Sequence, residues 1–300
     1  MDKTLIVVTG PTGVGKTRAA IGLARQLGCD IINADSRQIF RGIPIGTAAP
    51  TAAEQALVRH HFVAIKDLTD YYSASQFEAD VLALLPRLWQ GGDRVVMCGG
   101  SMMYVDAVCR GIDTMPTISE TVREAVLRQW REQGLESLLD ELQRLDPDYR
   151  AVVDARNPRR VLHAVEVCRQ AGVPYSSLRT GIAAPRDFKI VKIALTLERE
   201  QLFERINRRV DLMMEQGLEE EARRVAPLRH LNALNTVGYK EMFAWFDGVM
   251  DRDTAIARIK KNTRVYAKKQ LTWLKRDEAL VWCAPGDLSA VAGRILGGAQ

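Results

Sequence analysis

The sequence predicts an α/β protein in which a parallel sheet flanked by helices is interrupted by an all-helical insertion. Three observations predict it. Short apolar runs alternate with helical stretches through residues 4–98, strand signals vanish over 118–178, and they return at 188–196 (FKIVKIALT). Parallel strands need long crossovers, and this alternation is the trace they leave in a chain.

The first strand, 4–9, is followed by Gly10-Pro11-Thr12-Gly13-Val14-Gly15-Lys16-Thr17, a complete GxxxxGK[ST] loop that opens a helix over 17–27. Its glycines let backbone N–H groups converge on phosphate oxygens, and Lys16 adds a point charge. Thr17 can ligate Mg²⁺, and the helix N-terminus supplies the positive end of its dipole. The loop is a diphosphate cradle in a P-loop NTPase-like sheet; it grips phosphate without naming the reaction.

A second strand at 30–34 runs into Asp35-Ser36-Arg37-Gln38-Ile39-Phe40-Arg41-Gly42, then Ile45-Gly46-Thr47-Ala48-Ala49-Pro50. An acid at a strand's C-terminal end beside a phosphate loop stands where open α/β sheets place ligands. Asp35 fits three roles there: holding Mg²⁺ through water, acting as a general base, or capping a helix near Arg37. A helix over 74–90 and a strand over 94–98 lead to Cys98-Gly99-Gly100-Ser101-Met102-Met103-Tyr104, a turn able to bring a second backbone surface to phosphate. Alone, such a turn is a weak signal.

The insertion, 116–187, is helical with breaks at Gly134, Pro147, Pro158 and Gly172 to Pro174, and divides a core made of 1–115 and 188–300. In the helical last third, Ile256, Ile259, Tyr266 and Trp273 fall near one face, and Arg258, Lys261, Arg264 and Lys268 largely on another. Residues 254–276 hold eight Lys or Arg and no Asp or Glu. Such a run is either a solvated face or a phosphate-backbone surface, and interleaving with Tyr266 and Trp273 favours the second.

Composition fits an enzyme. No apolar stretch approaches the roughly 20 residues of a membrane helix, and the start carries no leader pattern, so a cytoplasmic location without a membrane partner is expected. Cys29, Cys98, Cys109, Cys168 and Cys283 form no CxxC pair, which predicts reduced thiols and no zinc site. A net charge of +5 suits a polyanionic partner, but 42 basic against 37 acidic residues is a mild excess.

Taken in order, the phosphate loop, the DSxQ element, IGTA-x-P, the GGSMMY turn and Ala267-Lys268-Lys269-Gln270-Leu271-Thr272-Trp273 resemble the bacterial tRNA dimethylallyltransferases, also called tRNA isopentenyltransferases. The resemblance spans nearly the whole chain, through Asn157-Pro158-Arg159-Arg160, Arg205-Ile206-Asn207-Arg208-Arg209, Gly217-Leu218 with Glu221, and Val237-Gly238-Tyr239-Lys240. It implies transfer of a dimethylallyl group from dimethylallyl diphosphate to N6 of adenosine 37 in tRNAs reading codons that begin with U. Asp35 would be the base, Ser101 would offer a hydroxyl where the family usually has Thr, and Arg209 would join Lys16 and Thr17, with Mg²⁺ as cofactor, on the departing diphosphate. The implied tRNA-facing set is Asp35, Ser36, Arg37, Gln38, Arg123, Arg159, Arg160, Val161, Leu162, His163, Gly238, Tyr239 and Lys240. The partners so implied are the tRNA anticodon stem-loop and dimethylallyl diphosphate, and the expected state is a monomer.

Bland readings stand beside these roles. Arg159 and Arg160 suit a plain helix surface, Arg208 suits pairing with Asp211 or Glu204, and His163 suits a buried histidine better than an RNA contact. Phe40, Pro44, Ala49 and His163 depart from the family pattern, the last two removing charge from RNA-facing positions. Three rivals use the same loop: a small-molecule kinase, an isopentenyltransferase acting on free adenine nucleotides, and a noncatalytic RNA-binding module.

Overall fold

The computed structural model describes residues 3–181 and 183–297. β1 (Thr4–Thr9) leads through the phosphate loop into α1 (Lys16–Leu27), then β2 (Ile31–Asn33), α2 (Pro44–Thr47), α3 (Ala52–Leu57) and β3 (His60–His61). α4 (Ala74–Leu88), β4 (Arg94–Cys98) and α5 (Met102–Arg110) complete the first part of the core. The strands lie in the order β3-β2-β4-β1, and every pairing among them is parallel.

Every residue of β1 is buried because its two faces serve two cores. Leu5 and Val7 point into one hydrophobic cluster, Ile6 and Val8 into the other. A parallel strand covered by helices on both sides loses the apolar and polar alternation, which is why β1 reads as one apolar run.

The contacts divide the chain into two compact units, the second being Gly111–Pro185. This unit has its own core, with Val126, Leu138, Leu142, Val161 and Val165 at its centre. α6 (Glu120–Leu145) is interrupted at Gly134 (φ 78°, ψ 179°). Pro147 opens α7 (Pro147–Val152), Pro158 opens α8 (Pro158–Ala171), and Gly172 at φ 70° closes it before α9 (Tyr175–Leu178). Proline at the first helical position has no N–H to lose, so those breaks fall where the prolines are.

β5 (Lys189–Leu195) returns to the core and pairs with the free edge of β1, Thr4 opposite Lys189. α10 (Arg199–Glu215), α11 (Leu218–Val225), α12 (Tyr239–Phe246) and α13 (Arg252–Leu274) follow; β6 (Val281–Cys283) and α14 (Leu288–Gly297) close the sheet as β3-β2-β4-β1-β5-β6. The buried seam of α13 is Ala255, Ile259, Thr263, Ala267, Gln270 and Leu274. This corrects the expected seam: Tyr266 is exposed, and Trp273 is half-buried with its Nε1 donating to Asp106. Small and polar side chains take the inner positions, so apolarity alone misreads the phase.

Candidate active site

The C-terminal ends of β1, β2 and β4 deliver the phosphate loop, Asp35 and the Gly99-Gly100 turn to one edge of the sheet, as parallel α/β sheets do. They enclose a cavity of about 250 Å³ whose lining includes Lys16, Thr17, Asp35, Arg205, Arg209 and Gln270. Gly15, at φ 101°, is the N-cap of α1 and turns the loop so that the helix N-terminus faces this space.

Four cations, Lys16, Arg18, Arg205 and Arg209, meet two acids, Asp35 and Glu54, here. Lys16 Nζ donates to the Gly10 and Pro11 carbonyls, each at 3.0 Å, and burial assisted by Arg209 lowers its pKa to about 8 against the pull of Asp35. Arg209 Nη2 donates to Thr12 Oγ1 at 2.6 Å, while its Nε is buried without a hydrogen-bond partner. Burial lowers the Arg209 pKa, and Asp35 opposes that shift. A buried guanidinium with an unmet donor is an anion site in waiting, since desolvated donors cost free energy until paired.

Asp35 Oδ1 accepts the backbone N–H groups of Arg37 (2.9 Å) and Gln38 (3.3 Å), a local turn with no α-helix behind it. Among the described residues no hydrogen bond reaches Oδ2, which leaves that oxygen available to a ligand. Ser101 Oγ accepts Ser36 N–H at 2.8 Å and donates to Ser36 Oγ at 3.1 Å. The hydroxyl ties the two turns together. Gln38 Nε2 donates to the Thr47 and Ala48 carbonyls, each at 3.0 Å, and so fixes the cavity wall after α2. Arg37 Nη1 donates to the Asn232 carbonyl at 2.7 Å.

Several predicted tRNA-facing residues are not presented to solvent. Tyr239 is fully buried and donates to Glu221 Oε1 at 2.5 Å, and Gly238 N–H donates to Glu241 Oε2 at 2.8 Å. Val161 and Leu162 are packed in the core of the second unit, because a helix that carries arginines outward must turn its apolar side inward. Arg159, Arg160 and Lys240 are exposed. Arg123 stands 3.9 Å from Glu166, and so does His163, which is exposed and not the buried histidine that its sequence setting suggested. Asp211 pairs with Lys260 at 2.6 Å, so it is not the partner of Arg208.

Two residues given no role from the sequence hold the site together. Glu221, 1% exposed, accepts the N–H groups of Ile45 (3.0 Å) and Gly46 (2.8 Å) in addition to the Tyr239 hydroxyl. Gln270, 2% exposed, accepts Thr12 N–H and donates to the Gly100 carbonyl, both at 2.8 Å. The available signal was their place inside the quoted motifs, since a glutamate or glutamine in a polar helix otherwise reads as surface.

A family model described as IPP transferase matches residues 38–277. The chain belongs to this family. Two IPP transferase relatives are named tRNA dimethylallyltransferase 1 in Phocaeicola vulgatus, 53% identical over 285 residues, and tRNA dimethylallyltransferase 2 in Porphyromonas gingivalis, 55% identical over 284. Each alignment covers 95% of both chains. The crystal structure of the tRNA isopentenylpyrophosphate transferase from Bacillus halodurans is 33% identical, with a TM-score of 0.71 over 98% of this chain and 96% of that one. The IPP transferase fold is therefore shared along the whole length, insertion included.

Proposed function

We propose that this chain transfers the dimethylallyl group of dimethylallyl diphosphate to N6 of adenosine 37 in tRNA, releasing diphosphate. The observation that carries the reading is the juxtaposition of Asp35 with Lys16, Arg205 and Arg209 around one cavity. Attack by N6 on the allylic C1 forms the C–N bond as the C1–O bond breaks, and the oxygen leaves with the electron pair. Negative charge therefore grows on the diphosphate, where Lys16, the free Nε–H of Arg209 and the α1 N-terminus meet it. Asp35 Oδ2 takes the N6 proton, which keeps the amine from carrying positive charge as the bond forms.

The residues present fit Mg²⁺. Thr17 lines the cavity, and among the described residues no group of three or more His, Cys, Asp or Glu forms an all-protein cage. That donor set suits an ion held largely by diphosphate and water, with Thr17 as protein ligand. When bound, Mg²⁺ supplies further neutralisation of the leaving group.

On this reading the acceptor is the anticodon stem-loop, and the enzyme is a cytoplasmic monomer. Exposed Arg159 and Arg160 of the insertion and exposed Lys261, Lys268 and Lys269 of α13 offer backbone-phosphate contacts. Extracting a stacked adenosine costs a few kcal/mol, which those contacts offset. Among the described residues no helix is long and apolar enough to cross a membrane.

The test is incubation with labelled dimethylallyl diphosphate, Mg²⁺ and unmodified tRNA carrying A36-A37-A38, with AMP and ATP controls, followed by nucleoside analysis. Label on N6 of A37 alone is the expected result. Label on AMP would assign the free-nucleotide reaction, and ATP turnover without transfer would assign a kinase.

A further inference from the structure

The edge of the sheet opposite the catalytic cavity carries a second concavity, of about 360 Å³. It is formed by the segments entering β2, β3 and β4 and by the C-terminal ends of α1 and α4, and it shares no lining residue with the catalytic cavity. Arg59, Arg87 and Arg94 all line it.

Two carboxylates also line this space, and both are engaged. Asp30 Oδ2 lies 2.8 Å from His61 Nε2, and Asp93 Oδ1 accepts from Lys3 Nζ at 2.8 Å. Among the described residues none of the three guanidinium groups makes a hydrogen bond or an ion pair. Arg94 lies near enough to Asp93 to join Lys3 in holding that carboxyl below its usual range, while Arg59 and Arg87 are exposed; a multiply charged anion can be shared among the three guanidinium groups. The walls leave room for it, since an added Cβ at Gly28 or Gly92 meets no atom within 4 Å.

We propose that this concavity binds a small phosphorylated ligand, separately from the diphosphate of the reaction. Phosphate offers the several oxygens that guanidinium forks pair with in parallel, and a space of this size holds a phosphate with a small organic group attached. The C-terminal ends of α1 and α4 present carbonyl groups, which disfavour an anion, so the arginines carry the recognition. This inference does not depend on the transferase reading.

The test is NMR titration of the full chain with inorganic phosphate, following the amides of Gly28, Gly91 and Gly92, in wild type and in Lys16→Ala. Saturable shifts are expected in both, weakened at least about tenfold by Arg87→Gln alone and abolished by Arg59→Gln, Arg87→Gln and Arg94→Gln together. Arg87 is exposed, so its variant tests the site without endangering the fold. No shift at these glycines, shifts confined to residues 10–17, or shifts that survive in the triple variant would overturn the proposal. A smaller salt dependence of tRNA binding in the triple variant would give these arginines to RNA backbone and overturn it equally.

Discussion

Gln270 holds Thr12 across nearly the whole sequence: a side-chain oxygen from α13 accepts the phosphate loop's N–H at 2.8 Å. The other end of the same amide donates to Gly100, so one buried side chain fixes the spacing between two backbone turns that face the cavity. The phosphate loop is thus positioned from the far end of the chain as well as by its own glycines.

Replacing Gln270 with Met keeps the side chain's bulk and leaves Thr12 N–H and the Gly100 carbonyl unpaired. Each unmet group costs about 1–3 kcal/mol. Urea denaturation without ligand should show the loss, and affinity for dimethylallyl diphosphate should weaken. Unchanged stability and affinity would mean that the loop needs no external brace.

Asp35→Asn separates turn from base. The amide oxygen can still accept Arg37 and Gln38 N–H, so the fold should hold, while turnover should fall by about two to four orders of magnitude. Single-turnover rates and tRNA affinity, measured together, check this. Equal turnover would remove Asp35 from the chemistry.

Lys16 gives a pH dependence of known sign. Its proton leaves near pH 8 in the folded chain and near 10.5 when unfolded. Between those values the unfolded state binds more protons, so this group's contribution makes stability rise with pH. Diphosphate binding needs the ammonium and runs the other way: affinity should fall above pH 8 by up to about tenfold per unit. Lys16→Arg, charged throughout, should flatten the curve, and a flat wild-type profile would show that Lys16 keeps its proton.

Tyr239→Phe removes one of the three hydrogen bonds that Glu221 accepts. A bond to a charged group contributes about 1.5–3 kcal/mol, and thermal unfolding should report a loss of that order. Because Ile45 and Gly46 lead directly to Thr47 and Ala48 at the cavity, KM for dimethylallyl diphosphate should rise while KM for tRNA stays level. A KM change for tRNA alone would place this network elsewhere in the mechanism.

Within α13, Arg264 donates to Asn207, and Arg264 and Lys268 both lie over Phe203. Neutralising Lys261, Lys268 and Lys269, all exposed, should reduce the salt slope of tRNA binding by about 2 to 3. Arg264→Gln should cost stability first. An unaltered slope in the triple variant would make this face a solvated one.

The legible parts of the molecule are those whose burial is periodic or continuous. β1 and β4 announce themselves as apolar runs because both of their faces are covered, β5 shows a mixed run with Lys189 and Lys192 less buried, and the insertion's breaks lie at its prolines and glycines. β3, two residues long, and β6, three, are too short to show a period. The phosphate loop was legible because a fixed spacing of residue types carries its chemistry, and so was the position of Asp35, though not its role, at the end of a strand beside that loop. Glu221, Gln270 and Tyr239 were not, because a buried polar residue is defined by partners distant in sequence. Ser101 shows the same limit in reverse, since its hydroxyl has a partner in Ser36 that the turn alone does not reveal.

The pairing of β5 with β1 bears on how the chain is made. A ribosome releases the first four strands and then all of residues 111–185 before β5 exists, so β1, apolar from Leu5 to Val8, waits with an uncovered edge of unpaired backbone groups. An open edge of that kind invites pairing with other chains. The insertion, having a core of its own, can fold during the interval, but nothing on that stretch can supply the missing strand. Expression conditions that slow elongation between those points should therefore increase aggregation, and chaperone demand should peak before residue 189 emerges.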